Sequence, residues 1–144
     1  MKRIPYLILI IGTIVSLGLS ACLGDVSSLD GSNWDLETYQ DEAGEMVGVL
    51  PGSITTALFQ ANYVSGIAGC NRFNADYEVD GNDLSFGPVA TTRKLCADPP
   101  GIMEQESAFL SALSEVASYE LDDESLVMFD SMGDIRLTFT TAGE

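Results

Sequence analysis

The chain has 144 residues and carries 22 acidic side chains against six basic ones, which gives a formal net charge of −16 at pH 7, and it contains no histidine. We do not expect it to bind nucleic acid, because so negative a surface repels a phosphate backbone. Without histidine the chain lacks the commonest general base and the commonest transition-metal ligand, so most hydrolytic triads are excluded.

The N-terminus has the pattern of a secretory signal peptide. Lys2 and Arg3 precede an uncharged apolar run at positions 7–19. A run of about 13 residues fits the core of a signal peptide, whereas a membrane-spanning helix needs about 20 apolar residues. We therefore expect residues 1–21 to be removed.

Residues 19–22, Leu-Ser-Ala-Cys, resemble the lipobox of bacterial lipoproteins, in which cleavage precedes a cysteine whose thiol accepts diacylglycerol. We expect Cys22 to be the lipidated N-terminus of the mature protein. Because Leu23 follows it, rather than Asp, the anchor is expected in the outer membrane of a two-membrane bacterium, or otherwise in the plasma membrane. The alternatives are an ordinary signal peptide cut after Ala21, with Cys22 a free thiol, and an uncleaved anchor.

A short tether is expected at residues 22–29 and a single domain at residues 30–144, which is long enough to bury one hydrophobic core. The mature chain keeps four basic and all 22 acidic side chains, a formal charge of −18. We expect a monomer that contacts the membrane only through its lipid, since this charge repels anionic headgroups.

The first part of the domain has the patterns of β-strands. Positions 34–37 and 73–79 alternate apolar with polar side chains, and positions 54–59 and 63–70 are rich in β-branched and aromatic residues. Gly66 and Gly69 indicate a bulge or a close approach of two backbones. Turns are predicted at 41–44 and at 80–83, where Asp-Gly-Asn-Asp leads into a strand at 84–86.

One helix is predicted after Pro99 and Pro100, because six apolar side chains follow at helical spacing. These are Ile102, Met103, Phe109, Leu110, Leu113 and Val116. Glu104 and Glu106 suit its first turns, where the helix dipole favours negative charge. Strands at 117–121, 126–129 and 135–140 complete an α+β, β-dominated fold, a small antiparallel sheet curled into a barrel-like shape with the helix packed on it.

Lipidation of Cys22 leaves Cys70 and Cys96 as a pair. In an oxidising compartment we expect a disulfide between them. Closing this 27-residue loop would stabilise the domain by about 3.5 kcal/mol in the chain-entropy model. Two buried free thiols are the alternative, and a zinc site is not expected because two cysteines without histidine make a poor tetrahedral ligand set.

Three segments resemble the META domain family, which includes the small heat-shock lipoprotein HslJ. They are Ala-Gly-Cys-Asn-Arg-Phe at 68–73, Thr-Thr-Arg-Lys-Leu-Cys at 91–96, and the helical segment at 103–106 with Phe109 and Leu110. The likeness runs from about residue 31 to residue 141. It implies a small barrel-like β fold with one helix, an envelope location, links to stress response and antibiotic tolerance, and no catalytic activity.

Asn71, Arg72 and Arg93 lie in the matching motifs, which hold two of the few arginines in a strongly acidic domain. They could bind an anionic group or a partner's carboxylate, for which the planar guanidinium is suited. We favour a structural interpretation, in which Asn71 supports a bulge or turn, the two arginines pair with nearby acids, and the motif holds the two cysteine segments together.

No metal or cofactor is expected, since the acidic turns at 80–83 and 122–124 lack EF-hand spacing. An enzyme without histidine would need paired carboxylates or a reactive cysteine, and neither stands out. We therefore predict a non-catalytic lipoprotein that acts in envelope stress response or tolerance through contacts with an envelope protein. The alternatives are a binder of a small apolar or anionic ligand in the barrel interior and an inhibitor or accessory factor of a secreted enzyme.

Overall fold

The computed structural model describes residues 28–143, so the expected signal peptide, the lipidated Cys22 and most of the tether lie outside the described residues. The described part contains ten strands and one helix. In chain order these are β1 (Asn33–Gln40), β2 (Met46–Gly48), β3 (Thr56–Gln60), β4 (Tyr63–Ile67), β5 (Arg72–Asp80), β6 (Asp83–Phe86), β7 (Ala90–Thr91), α1 (Ile102–Ser114), β8 (Val116–Leu121), β9 (Ser125–Asp130) and β10 (Ile135–Thr141).

Eight of the strands form a closed antiparallel barrel in the order β1, β3, β4, β5, β6, β8, β9, β10. The barrel closes because β10 pairs with β1, from Trp34 opposite Thr141 to Tyr39 opposite Leu137. Strand β2 pairs with the last residues of β1, and β7 pairs with the start of β5. The predicted fold class is confirmed, with the sheet fully closed.

The strands follow the alternation that the sequence predicted, most clearly in β5. Phe73, Ala75 and Tyr77 are buried in the interior, while Arg72 and Asn74 are exposed on the outer face. This alternation places every second side chain of a strand in the core. The acidic turn after β5 is a tight hairpin, as predicted, with the first and last turn residues paired directly.

Large side chains fill the interior of the barrel. Those with less than 2% of their surface exposed include Phe59, Val64, Phe73, Leu84, Phe109, Leu113, Leu126, Met128, Leu137 and Phe139. The rings of Phe73 and Phe109 meet edge to face at 5.4 Å, and those of Phe59 and Tyr77 at 5.2 Å. Each such side chain contributes roughly 1.5–3 kcal/mol by burial. The core is therefore built from the protein's own side chains.

Helix α1 packs against β1, β6 and β10. Ile102, Phe109 and Leu113 are buried as predicted, but Met103 and Leu110 are only half-buried. The helix ends before Val116, which begins β8. Two polar side chains, at positions 105 and 106, occupy the buried face instead. The apolar pattern predicted the helix correctly and its buried face only in part.

Three further details differ from the sequence prediction. Strand β4 ends at Ile67 instead of continuing to position 70, because Gly69 adopts a φ of +112° and the chain turns there. Strands β2 and β7 were not predicted, since two or three residues are too few to show a period.

Within residues 28–143, no helix has the length and apolar content needed to cross a bilayer.

Candidate functional site

The two sequence motifs lie side by side and are joined by a disulfide. Cys70 and Cys96 are bonded, with their Cα atoms 6.0 Å apart, as the cysteine count predicted. Next to the bond, the backbone N–H of Thr92 donates to the carbonyl oxygen of Arg72 at 3.0 Å, and the N–H of Arg72 donates to the Thr92 hydroxyl at 3.1 Å. The segment after β7 is thereby attached to the start of β5.

Asn71 is the buried centre of this arrangement, with 2% of its surface exposed. Its amide oxygen accepts from the N–H of Lys94 at 2.7 Å and from the hydroxyl of Thr92 at 2.8 Å. Its amide nitrogen donates to the carbonyl oxygen of Lys94 at 3.1 Å and to Oε1 of Glu106 at 2.7 Å. All four hydrogen bonds of the side chain are made, which supports the structural interpretation of Asn71.

Glu106 connects the helix to the same point. Its Oε2 accepts from the backbone N–H of Asn71 at 2.6 Å and from that of Cys70 at 3.1 Å, while Oε1 accepts from the Asn71 amide. A buried carboxylate needs such donors to offset the loss of water. The charge of Glu106 alone predicts a position in the first turns of the helix. Its spacing, four residues after Ile102 and three before Phe109, is the signal that it faces the core.

Gln105 makes a second buried connection. Its Oε1 accepts from the N–H of Leu50 at 2.6 Å, and its Nε2 donates to the hydroxyls of Ser53 at 3.1 Å and Thr55 at 3.3 Å. The loop before β3 is thus held to α1. Every buried side-chain nitrogen and oxygen in the described part of the chain has a hydrogen-bond partner.

The prediction that Arg72 and Arg93 pair with nearby acids is wrong. Both are exposed, and within residues 28–143 neither forms an ion pair. The reason for Arg72 lies in the register, because its side chain shares the outer face of the sheet with Ile67 opposite and Asn74 two residues further on. Leu95, between the second arginine and Cys96, is 94% exposed.

A depression of about 360 Å³ adjoins Arg72 on the outer face of β4 and β5. It is lined by Ser65, Gly66, Ile67, Arg72, Phe73 and Asn74. The register pairs Ser65 with Asn74 and Ile67 with Arg72, so these four side chains surround the backbone of the pair Gly66 and Phe73. A Cβ atom at position 66 would lie 1.9 Å from the carbonyl oxygen of Thr56, so only glycine fits there.

Arg136 has very different surroundings. Its Nη2 lies 2.8 Å from both Glu115 and Asp130, its Nε donates to Asp130 at 2.9 Å, and its Nη1 donates to Gln40. The pKa of the Asp130 carboxyl is held below its usual value, most strongly by the backbone N–H of Asp134 and further by Arg136. This cluster joins β9, β10 and the end of α1.

The acidic turn at 122–124 satisfies its own backbone. Asp122 accepts from the N–H groups of Glu124 at 2.9 Å and Ser125 at 2.7 Å, and these bonds lower the pKa of its carboxyl. In the described residues, no three acidic or cysteine side chains come together in a way that could hold a metal ion. These hydrogen bonds stabilise the turn between β8 and β9.

The META domain family model matches residues 27–143. Among solved structures, the NMR structure of a protein from Burkholderia xenovorans is similar with a TM-score of 0.65 at 27% identity, covering 81% of this chain and 85% of that one. A second NMR structure (TM-score 0.54, 21% identity, 78% and 90% coverage) and the crystal structure of a DUF4847 family protein from Bacteroides vulgatus (TM-score 0.54, 13% identity, 81% and 96% coverage) share the fold. No curated protein matches. The chain belongs to the META domain family.

Proposed function

We propose that this is a lipid-anchored, non-catalytic envelope protein whose META domain binds another envelope protein in support of stress tolerance. The contact is made by the motif surface, which we define as the exposed side chains of Arg72, Arg93, Lys94 and Leu95. The proposal rests on the positions of the basic side chains. Of the four basic side chains within residues 28–143, three lie in this surface, in a chain with 22 acidic ones.

The motif surface is held rigidly from below. The disulfide, the four hydrogen bonds of Asn71 and the carboxylate of Glu106 fix the backbone, while the side chains above it are exposed. Arginine is enriched at protein interfaces, and a preorganised backbone reduces the entropy lost on binding. An exposed leucine beside unpaired cations fits this role.

The chemistry of the buried groups supports binding over catalysis. Cys70 and Cys96 are bonded to each other, and the Glu106 carboxylate accepts hydrogen bonds from N–H groups of the protein itself. The barrel interior is occupied by apolar side chains, which argues against the alternative of a ligand inside the barrel. A reactive thiol or a free buried carboxylate pair is therefore not a feature of this region.

The anchor can be tested by the intact mass of the protein extracted from membranes, before and after reduction and alkylation. We expect the mass of residues 22–144 plus a diacyl or triacyl group, with two thiols that become alkylatable only after reduction. A mass without lipid would contradict the anchor. Thiols that react without reduction would contradict the disulfide in the cell.

The contact can be tested by photo-crosslinking in intact cells, with p-benzoylphenylalanine at position 95 or at position 132. Leu95 and Met132 are both apolar and highly exposed, at 94% and 85%, but Met132 lies in the turn between β9 and β10. We expect a discrete adduct from position 95 that disappears with Arg93→Glu, and none from position 132. Equal adducts from both positions, or none from position 95, would contradict the proposal.

A further inference from the structure

We infer that the depression between β4 and β5 binds a carboxylate of an acidic protein segment, with Arg72 as the charged contact and Ser65 and Asn74 as hydrogen-bonding groups. This inference rests on the proposed function and deepens it, because it names the chemistry of the partner. It also extends the binding region beyond the two motifs, to residues on β4.

The first step of the argument is the placement of the side chains. Ser65 lies directly opposite Asn74, and Ile67 directly opposite Arg72. Side chains of directly opposite residues start about 5 Å apart on the same face. The polar groups of Ser65, Arg72 and Asn74 are therefore neighbours around one depression of about 360 Å³.

The second step is that these polar groups are available. In the described part of the chain, the side chains of Ser65, Arg72 and Asn74 form no hydrogen bond or ion pair. Together they offer a hydroxyl, an amide and the five N–H donors of a guanidinium. Arginine and a carboxylate make a two-bond, planar contact, so the depression has the donors that such a group requires.

The third step concerns the kind of molecule that carries the carboxylate. Leu58, opposite Ser65, is 39% exposed, and Tyr63, which lies opposite the exposed Asp76, is 49% exposed, so apolar surface adjoins the depression on the β3 and β4 side of the same face. Mixed apolar, aromatic and arginine surface is typical of protein interfaces. An extended anionic surface, such as a membrane, would meet the repulsion of the whole domain. A short segment with one acidic side chain between apolar ones fits better.

The test uses the full chain, labelled with ¹⁵N and held in detergent micelles. It is titrated with the blocked peptide Ala-Leu-Glu-Leu-Ala and with the same peptide containing Gln in place of Glu. We expect the Glu peptide to shift the amide signals of Ser65, Gly66 and Asn74 and the Nε signal of Arg72. Because the lost contact is charge-assisted, the Gln peptide should bind about tenfold more weakly.

Two isosteric variants separate a local site from a general charge effect. Asn74→Asp places a negative charge in the depression, and Asn33→Asp places one on the same outer face, in the register row that runs from Asn33 through Leu58 and Ser65 to Asn74. We expect Asn74→Asp to weaken binding of the Glu peptide by about tenfold, and Asn33→Asp by less than about twofold. Equal weakening by the two variants would overturn the inference.

The remaining outcomes are also decisive. Shifts confined to residues 92–96 would overturn the depression as the site while leaving the motif surface of the proposed function in place. If inorganic phosphate, or phosphatidylglycerol added to the micelles, shifts the same amides as strongly as the Glu peptide, the choice of a protein segment is overturned. Loss of the crosslink from position 95, with peptide shifts intact, would instead contradict only the proposed function.

Discussion

Arg136 and Arg72 both lie on strands of the barrel, and their guanidinium groups have opposite surroundings. Arg136 contacts Glu115 and Asp130 at 2.8 Å and donates to Gln40. Arg72 is exposed beside neutral side chains and forms no ion pair within residues 28–143. Both side chains carry the same charge in the same acidic domain.

The difference shows how this domain distributes its few cations. Acids are abundant, since the chain has 22, so a shortage of carboxylates does not explain an unpaired arginine. Around Arg136 the end of the helix and the end of β9 bring two acids together, which makes Arg136 a structural residue. In the motif region the buried polar groups, Asn71 and Glu106, bond to the backbone. The cations there stay outside and accessible.

The largest effect is expected beneath Arg72, at the floor of the depression. Gly66→Ala would place a Cβ atom 1.9 Å from the Thr56 carbonyl oxygen and 2.7 Å from its carbon, so one strand must shift. We expect the free energy of unfolding to fall by about 3 kcal/mol, measured by urea denaturation. Gly48→Ala is the control, since its Cβ would meet nothing closer than 4.0 Å. If the two variants are equally stable, the backbones do not approach this closely.

The next prediction tests whether Glu106 holds the backbone of the first motif in place. Glu106→Ala leaves the N–H groups of Cys70 and Asn71 and the Asn71 amide without their acceptor. We expect a loss of about 2 kcal/mol in unfolding free energy, with new amide shifts at Asn71. Glu104→Ala removes an exposed carboxylate from the same helix and should cost about 0.5 kcal/mol. Similar losses for both would mean that the Glu106 contacts do not hold the motif.

The same substitution at Arg136 and at Arg72 compares what the two arginines contribute to stability. Arg136→Gln breaks the contacts to Glu115 and Asp130, and we expect it to lower the unfolding free energy by about 1.5 kcal/mol. Arg72→Gln removes an exposed, unpaired group and should change it by less than about 0.5 kcal/mol, while binding of the Glu peptide falls. Thermal and urea unfolding of both variants would measure this. Equal destabilisation would remove the distinction between a structural and an accessible cation.

The smallest effect is a pH dependence at the Arg136 cluster. The pKa of Asp130 is lowered in the folded state, first by the N–H of Asp134. The ionised carboxylate therefore stabilises the fold fully above its unfolded pKa, near 3.8, and this contribution disappears as the pH falls through the lower, folded value. The stability difference between the wild type and Asp130→Asn should shrink on acidification below about pH 4. A difference that stays constant to low pH would contradict this linkage.

Much of the fold could be predicted from local patterns. The alternation in β5 reflects one buried and one exposed face, and in β10 Leu137 and Phe139 alternate with less buried threonines, a pattern that a sequence shows directly. The tight turn before β6 was recognisable from its residue types. The end of β4 was not, because it depends on Gly69 turning the chain toward the disulfide. The short strands β2 and β7 exist only because β1 and β5 are there to pair with them.

The candidate site could also be predicted only in part. Cys70, Asn71, Arg72, Arg93 and Cys96 could be selected from the motifs, and the disulfide from the number of cysteines. The assignment of the arginines to ion pairs failed, because which side chains face Arg72 is fixed by the register of β4 against β5. Neither Ser65 nor Asn74 carried a signal of its own.

The family, the β-dominated class and the single helix could be predicted from the sequence, and a disulfide could be expected, because these follow from short-range patterns and residue counts. The packed fold was needed to show that Glu106 is the buried acceptor for the first motif and that neutral side chains surround Arg72 in the depression. Such contacts join residues that are distant in the chain, such as positions 71 and 106. Strand register and helix docking set these contacts, and both depend on the packing of the whole core.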